Sequence, residues 1–173
     1  GSHSYKDLLQ FVEAFPRDLL LQVSPDWLLS TAMSALANQG RRVTQEFLHV
    51  DEFGRFLDVL VYLPRDIYNT AMRQRIEGVL RAAFSATEIE TSVQLSDAAL
   101  ARLHFNVRLE SQQPQLLAVW PSVCLRIDDA TRSWLDDFTA LVLRDATSDE
   151  AADEFLRTWA GAFDDVYRAA YPV

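Results

Sequence analysis

Glycine is scarce in this chain. Gly1, Gly40, Gly54, Gly78 and Gly161 are the only five in 173 residues, and no two are close enough to build a dinucleotide fingerprint or a P-loop, both of which need several glycines within a few residues so that backbone can approach phosphate. Lysine is scarcer still. Lys6 is the only one, in the exposed start of the chain, so no core lysine is at hand to form a Schiff base or polarise a substrate. Cys124 is the single cysteine, which excludes an internal disulfide and a cysteine-rich zinc site. Apart from His3, the histidines are His49 and His104. They allow a Ser/His/Asp triad arithmetically, but no G-x-S-x-G elbow accompanies them, and no carboxylates are spaced with them as metal ligands, so no metal is expected. No apolar run approaches the roughly 18 residues of a membrane helix, and no signal peptide is visible. Basic side chains number 16 against 25 acidic ones, for a net charge of −9, which argues against a phosphate-binding surface and a nucleic-acid partner. Together these absences argue against a stand-alone enzyme.

The chain does contain enough to fold. Its 49% hydrophobic and 24% charged content suits one packed domain, or one domain with a helical appendix. Gly1-Ser2-His3 reads as a cloning scar and no Met precedes Ser4, so a piece excised from something longer is expected. Residues 4–15 carry Leu8, Leu9, Val12 and Phe15 at helical spacing, and Pro16 ends that helix. Asp18 to Val23 is a short apolar run, read as a buried strand. Ser24-Pro25-Asp26 opens a helix, with Ser24 as cap and Pro25 at its first position, and Asn38-Gln39-Gly40 stops it.

Arg42–Val50 and Arg55–Leu63 read as two strands joined through Asp51-Glu52-Phe53-Gly54, a hairpin. Asn69 or Thr70 caps a helix running to about Phe84, with Met72, Ile76, Val79, Leu80 and Ala83 facing inward. Ile89, Thr91, Val93 and Leu95 then alternate with polar residues, as do Leu103, Phe105, Val107 and Leu109 with Arg102, His104, Asn106 and Arg108, giving two further strands. Beyond residue 114 the period becomes helical: one long helix over 121–144 from Pro121, then a second opened by the capping box Thr147-x-x-Glu150, the two pairing antiparallel. The expected class is α+β, an antiparallel ferredoxin-like sheet with helices on one face, followed by a C-terminal helical hairpin. The expected boundaries are 1–15 for the scar and first helix, 16–112 for the α+β domain and 114–173 for the helical segment. The other sheet face, bearing Arg102, His104, Asn106 and Arg108, must meet water or another domain.

Asp51-x-x-Gly54-Arg55-Phe56, followed by Leu60-Val61-Tyr62-Leu63-Pro64-Arg65-Asp66-Ile67-Tyr68-Asn69-Thr70, resembles a stretch of the large bacterial NAD-specific glutamate dehydrogenases, "D-x-x-G-R-F…L-V-Y-V-P-R-D-R-Y-N-T…R-x-R-I". Arg73-x-Arg75-Ile76, Leu100-Ala101-Arg102-Leu103-His104-Phe105-x-Val107-Arg108 and, upstream, Phe15-Pro16-Arg17-Asp18 extend the similarity. Arg132-x-Trp134-x-Asp136 and Ala162-Phe163-x-x-x-Tyr167-Arg168 resemble the family's helical segment, so that residues 11–171 are covered. Ile67 departs from the basic residue usual there. The resemblance implies ACT-like domains in a long N-terminal region, then a helical segment, with the dehydrogenase core far downstream. It implies a cytoplasmic, homo-oligomeric parent that uses NAD, with the remainder of that polypeptide as this chain's partner, an amino acid as effector, and no cofactor bound by this piece.

Two readings of residues 64–70 stand. In one they are a structural junction: Pro64 blocks ladder pairing, Asp66 bonds nearby amides, and Asn69 or Thr70 caps. In the other they form a regulatory or interdomain site with Arg55, Arg65, Asp66, Asn69, Thr70 and Arg73 in contact with a ligand or neighbour, the arginines serving as cations for a carboxylate. The competing class is a free-standing ferredoxin-like module for a small ligand or single-stranded RNA, which the charge opposes.

Overall fold

The structure is a computed structural model describing residues 2–38, 41, 43–95, 100–111 and 115–171. It forms two compact units, Gly1–Thr131 and Arg132–Val173. The first is built on four strands, β1 (Gln45–Val50), β2 (Phe56–Pro64), β3 (Ala86–Leu95) and β4 (Leu100–Leu109), antiparallel throughout in the order β1-β2-β4-β3. The β1–β2 hairpin is tied by the Asp51 carboxylate, which accepts from the backbone N–H of Phe53 at 3.2 Å and of Phe56 at 2.8 Å. Gly54 takes a φ of 61°, which a side chain would resist.

Register decides which residues meet. Leu57 pairs with Val107, Val59 with Phe105, Val61 with Leu103 and Leu63 with Ala101, so one face of the two central strands is wholly apolar. It packs under α4 (Thr70–Phe84), through Met72, Ile76, Leu80 and Phe84, and under α5 (Leu116–Thr131), through Leu116, Val123 and Ile127. The opposite face of β1 and β2, with Phe47, Leu60 and Tyr62, is covered by Phe15, Leu19, Trp27, Leu28 and Ala35. These come from the link after α1 (Ser2–Glu13), from α2 (Arg17–Leu20) and from α3 (Pro25–Ala37). Ser24 caps α3, accepting from the Trp27 N–H at 3.2 Å, and the Trp27 indole donates to the Leu48 carbonyl at 3.2 Å. That half of the second face therefore meets the chain's own N-terminal helices, not water or a foreign domain.

The strand expected at Asp18–Val23 is instead α2. Pro16 holds φ at −58°, and the N–H groups of Leu20 and Val23 turn back to the Pro16 and Leu19 carbonyls, closing helical turns. Leu19 is buried while Leu21 is 87% exposed, a contrast that a strand buried on both sides would not show. Four to six apolar residues cannot separate the two states by period. The edge beside β2 is filled from upstream by β1, so the α+β sheet keeps the order and sense of a ferredoxin-like array, with α4 and α5 on one face, on a permuted thread.

Two helices of the expected C-terminal hairpin are each broken. Pro121 lies inside α5, five residues past its start. The helix ends at Thr131, whose hydroxyl donates to the Asp128 carbonyl at 3.0 Å. Ser133 then caps α6 (Trp134–Asp145) in a full capping box with Asp136. Apolar spacing runs on through this break, so periodicity could not register it; Ser133-x-x-Asp136 was the available signal. Ser148, not Thr147, caps α7 (Asp149–Trp159), accepting from Ala151 at 3.2 Å, and Asp164 restarts the chain as α8 (Asp165–Ala170). Among the described residues no helix is long and apolar enough to cross a membrane.

Ser85 ends α4 at φ 48°, ψ 47°, a left-handed position where glycine is favoured. Ser85→Gly is expected to raise stability by about 0.5 kcal/mol in urea unfolding, the relieved side-chain strain outweighing glycine's entropy in the unfolded chain.

Candidate functional site

Of the six residues singled out around the Pro64–Thr70 block, Arg55 stands apart from the other five. Arg55 lies before β2 and Arg65 after it, and nine strand residues at about 3.4 Å each put about 30 Å between them. Arg55 stacks over the exposed Phe53 ring at 5.2 Å. Arg65 and Asp66 sit in the 3₁₀ turn Arg65–Ile67. Asn69 caps α4, accepting from the Met72 N–H at 2.8 Å, and Thr70 begins the helix. Arg73 pairs with Glu77 one turn along the same helix, and Glu77 also accepts from the Thr91 hydroxyl at 2.7 Å. The Met72 amide in the first turn of α4 and the Arg73 guanidinium thus have partners within the chain.

The densest polar arrangement lies on the sheet face opposite α4 and α5. His49, Asp58, Asn106 and Glu90 are cross-strand partners in one row over all four strands. The Asp58 side chain is 3% exposed and accepts from His104 Nε2 at 2.7 Å and from Asn106 Nδ2 at 3.0 Å. Its second oxygen is 3.8 Å from His49 Nδ1. Burial alone would raise the Asp58 pKa, but the hydrogen bonds from His104 and Asn106 and the charge of the two imidazoles outweigh it and hold the carboxyl below its ordinary range. Where the row runs toward β3 the face opens into a depression of about 380 Å³, lined by Asp18, Gln22, Glu90, Ser92, His104 and Asn106 among others. Beside it Arg102, against the Tyr62 phenol, donates to the Ala14 carbonyl and so ties β4 to the end of α1. Burial raises the Tyr62 pKa and lowers that of Arg102.

A second pair lies on the α5 side. Burial, and then the charge and hydrogen bonding of Asp128, push Glu46 up to about 8, so β1 and α5 meet through a protonated carboxyl. Thr44 and Thr131 hydroxyls join 2.8 Å apart at the same seam. Burial and these carboxyls push the Cys124 thiol up to about 11, which removes it as a thiolate nucleophile near neutral pH.

The sequence marks Asn106 as a member of a polar strand face and His104 both as that and as one of two candidate histidines, but it gives no prominence to Asp58, Glu46 or Asp128. The one signal for Asp58 was a lone carboxylate inside Phe56–Leu63, a run otherwise apolar. Among the described residues no group of three His, Cys, Asp or Glu is placed to hold a metal. The β2-to-α4 link contains no glycine, and the Asn69 side chain already occupies the Met72 amide, so this crossover is not built to cradle a pyrophosphate.

Comparison with known proteins supplies the relationship that geometry alone does not. The family described as "Glutamate dehydrogenase, ACT2 domain" matches residues 45–135, and "Glutamate dehydrogenase, helical motif 1" matches residues 1–41. The chain belongs to the glutamate dehydrogenase ACT2 family. The ACT2 match begins at β1 and takes in the whole sheet with α4 and α5, while the helical motif supplies α1, α2 and α3 ahead of it. The chain is similar to the NAD-specific glutamate dehydrogenase of Pseudomonas aeruginosa, 36% identical over 146 residues that make up 82% of this chain and 9% of that protein. It is also similar to those of Halomonas elongata, at 31% over 98% of the chain and 10% of the relative, and Mycobacterium tuberculosis, at 29% over 98% and 11%. It spans about a tenth of the length of these curated relatives.

The two carboxyl sites of this ACT2 sheet titrate with opposite sign. Asp58 has a lowered folded value, so its contribution is present at neutral pH and is lost as pH falls through the acid range. Asp58→Ala should cost about 2 kcal/mol at pH 7, since His104 and Asn106 lose a buried acceptor, and should flatten the loss of stability below about pH 4. Glu46 has a raised folded value, so stability is fullest below its ordinary 4.5 and declines as pH climbs toward 8. Denaturant titrations of Glu46→Gln across pH 4 to 9 should show that decline reduced, with the gain over wild type largest at the alkaline end.

Proposed function

We propose that this chain is a non-catalytic regulatory and assembly segment of an NAD-dependent glutamate dehydrogenase. The parent reaction on this reading is the oxidation of L-glutamate with NAD⁺ and water to 2-oxoglutarate, ammonium, NADH and a proton. The observation that carries the proposal is the pair of family matches spanning residues 1–41 and 45–135, set against a sheet in which three shielded charged or titratable groups are engaged by neighbours in the same chain. Asp58 is held by His104 and Asn106, Glu46 by Asp128, and Arg73 by Glu77. Groups committed in this way position strands and helices, leaving hydride transfer to a core elsewhere in the polypeptide.

A segment of this kind acts by biasing the conformations or subunit contacts of the parent, through interaction energy that differs between its states. The residues at 55, 65, 66, 69, 70 and 73 remain the proposed contacts with a neighbouring domain or an amino-acid effector. Arg55 and Arg65, at opposite ends of β2, would then serve different contacts.

The purified chain, incubated with glutamate and NAD⁺ and followed by absorbance of NADH, is expected to show no turnover, whereas the full-length enzyme turns over under the same conditions. Glutamate-dependent NADH formation by the isolated chain would contradict the proposal. A screen of the common amino acids by thermal unfolding tests the effector separately. A ligand of a complete site, at about 100 times its Kd, adds about 2.7 kcal/mol.

A further inference from the structure

We propose that the aromatic seam of the helical unit, Arg132–Val173, is a docking surface for a basic amphipathic helix of the parent polypeptide lying outside residues 1–173. The inference rests on the reading of the chain as one segment of a much longer enzyme.

The seam is a run of ring contacts. Trp159 meets Phe155 at 6.2 Å, Phe155 meets Phe138 at 6.3 Å, and Phe138 meets Phe163 at 5.5 Å. Phe163 meets Tyr167 at 5.0 Å, and Tyr167 meets Tyr171 at 4.9 Å. Aromatic side chains in such contact usually make a core, yet Phe155, Trp159, Tyr167 and Tyr171 are each between 42% and 59% exposed. Among the described residues of this unit Ala152 alone is fully buried. Some 40 residues with so little buried apolar surface do not make an independently stable core, and an exposed apolar strip edged by charges marks an interface.

Charge selects the occupant. Residues 132–173 hold nine Asp or Glu against four Arg and no Lys, a net of −5, and Asp153 and Glu154 stand exposed immediately before Phe155. Two copies of this seam face to face would set like charges together in an isologous interface. A helix with an apolar stripe and flanking Lys or Arg satisfies both rings and rim. The curated relatives are about ten times longer than the chain, so there is ample polypeptide to supply it.

The test uses the full-length enzyme, with the photo-crosslinker p-benzoylphenylalanine in place of Trp159, and maps the crosslinked peptides by mass spectrometry. Crosslinks to a Lys- or Arg-bearing segment of the same polypeptide outside residues 1–173 are expected. Asp153→Arg with Glu154→Arg should lower their yield by at least about tenfold. Crosslinks to the same seam of a second copy, crosslinks confined to residues 1–173, or a yield unchanged by charge reversal would each overturn the proposal. Glutamate-dependent NADH formation, assayed on the unirradiated enzyme, reads the parent function independently, so a failed functional reading and a failed docking surface give different results.

Discussion

Everything in the first unit depends on β2 being buried on both faces. Leu57, Val59, Val61 and Leu63 point to α4 and α5, while Leu60 and Tyr62 point to the N-terminal helices. A strand of this kind cannot sit in a two-layer sandwich with one wet face. The permuted thread follows from this. Among the described residues the edge beside β2 is taken by β1, and α1, α2 and α3 close the second face. The segments matched separately as helical motif 1 and ACT2 are therefore two parts of one packing problem.

Into that doubly apolar strand the sequence places Asp58. Its cost is met by His104 and Asn106, both on the facing strand. Because side chains alternate across a strand, a one-residue slip of β2 against β4 would carry Asp58 into the core beneath α4 and α5, with its carboxylate unpaired. The polar row from His49 to Glu90 thus fixes register in a sheet whose apolar residues alone would tolerate more than one alignment. That is a structural use for a constellation which, seen as a list of residues, resembles catalytic furniture.

Much of this was legible beforehand. The strict alternation of Leu103, Phe105, Val107 and Leu109 marked β4, and the pair Asn69-Thr70 marked the start of α4. What escaped has identifiable causes. Asp18–Val23 was too short for periodicity to separate strand from helix, and the proline before it favoured the helix. The break at Arg132-Ser133 is invisible to apolar spacing because Trp134 and Phe138 continue it. Asp58, Glu46 and Asp128 escaped because the partners that give each its character lie far away in sequence: His104 is 46 residues from Asp58, and Asp128 reaches Glu46 only once α5 has packed against the edge strand.

If the two faces of β2 make a single cooperative unit, native-state hydrogen exchange should report it. The amides of α3 and those of Leu57–Leu63 in β2 are predicted to exchange through openings of the same free energy, equal to that of global unfolding. Exchange of the α3 amides through a separate opening of lower energy, with β2 still fully protected, would contradict this account.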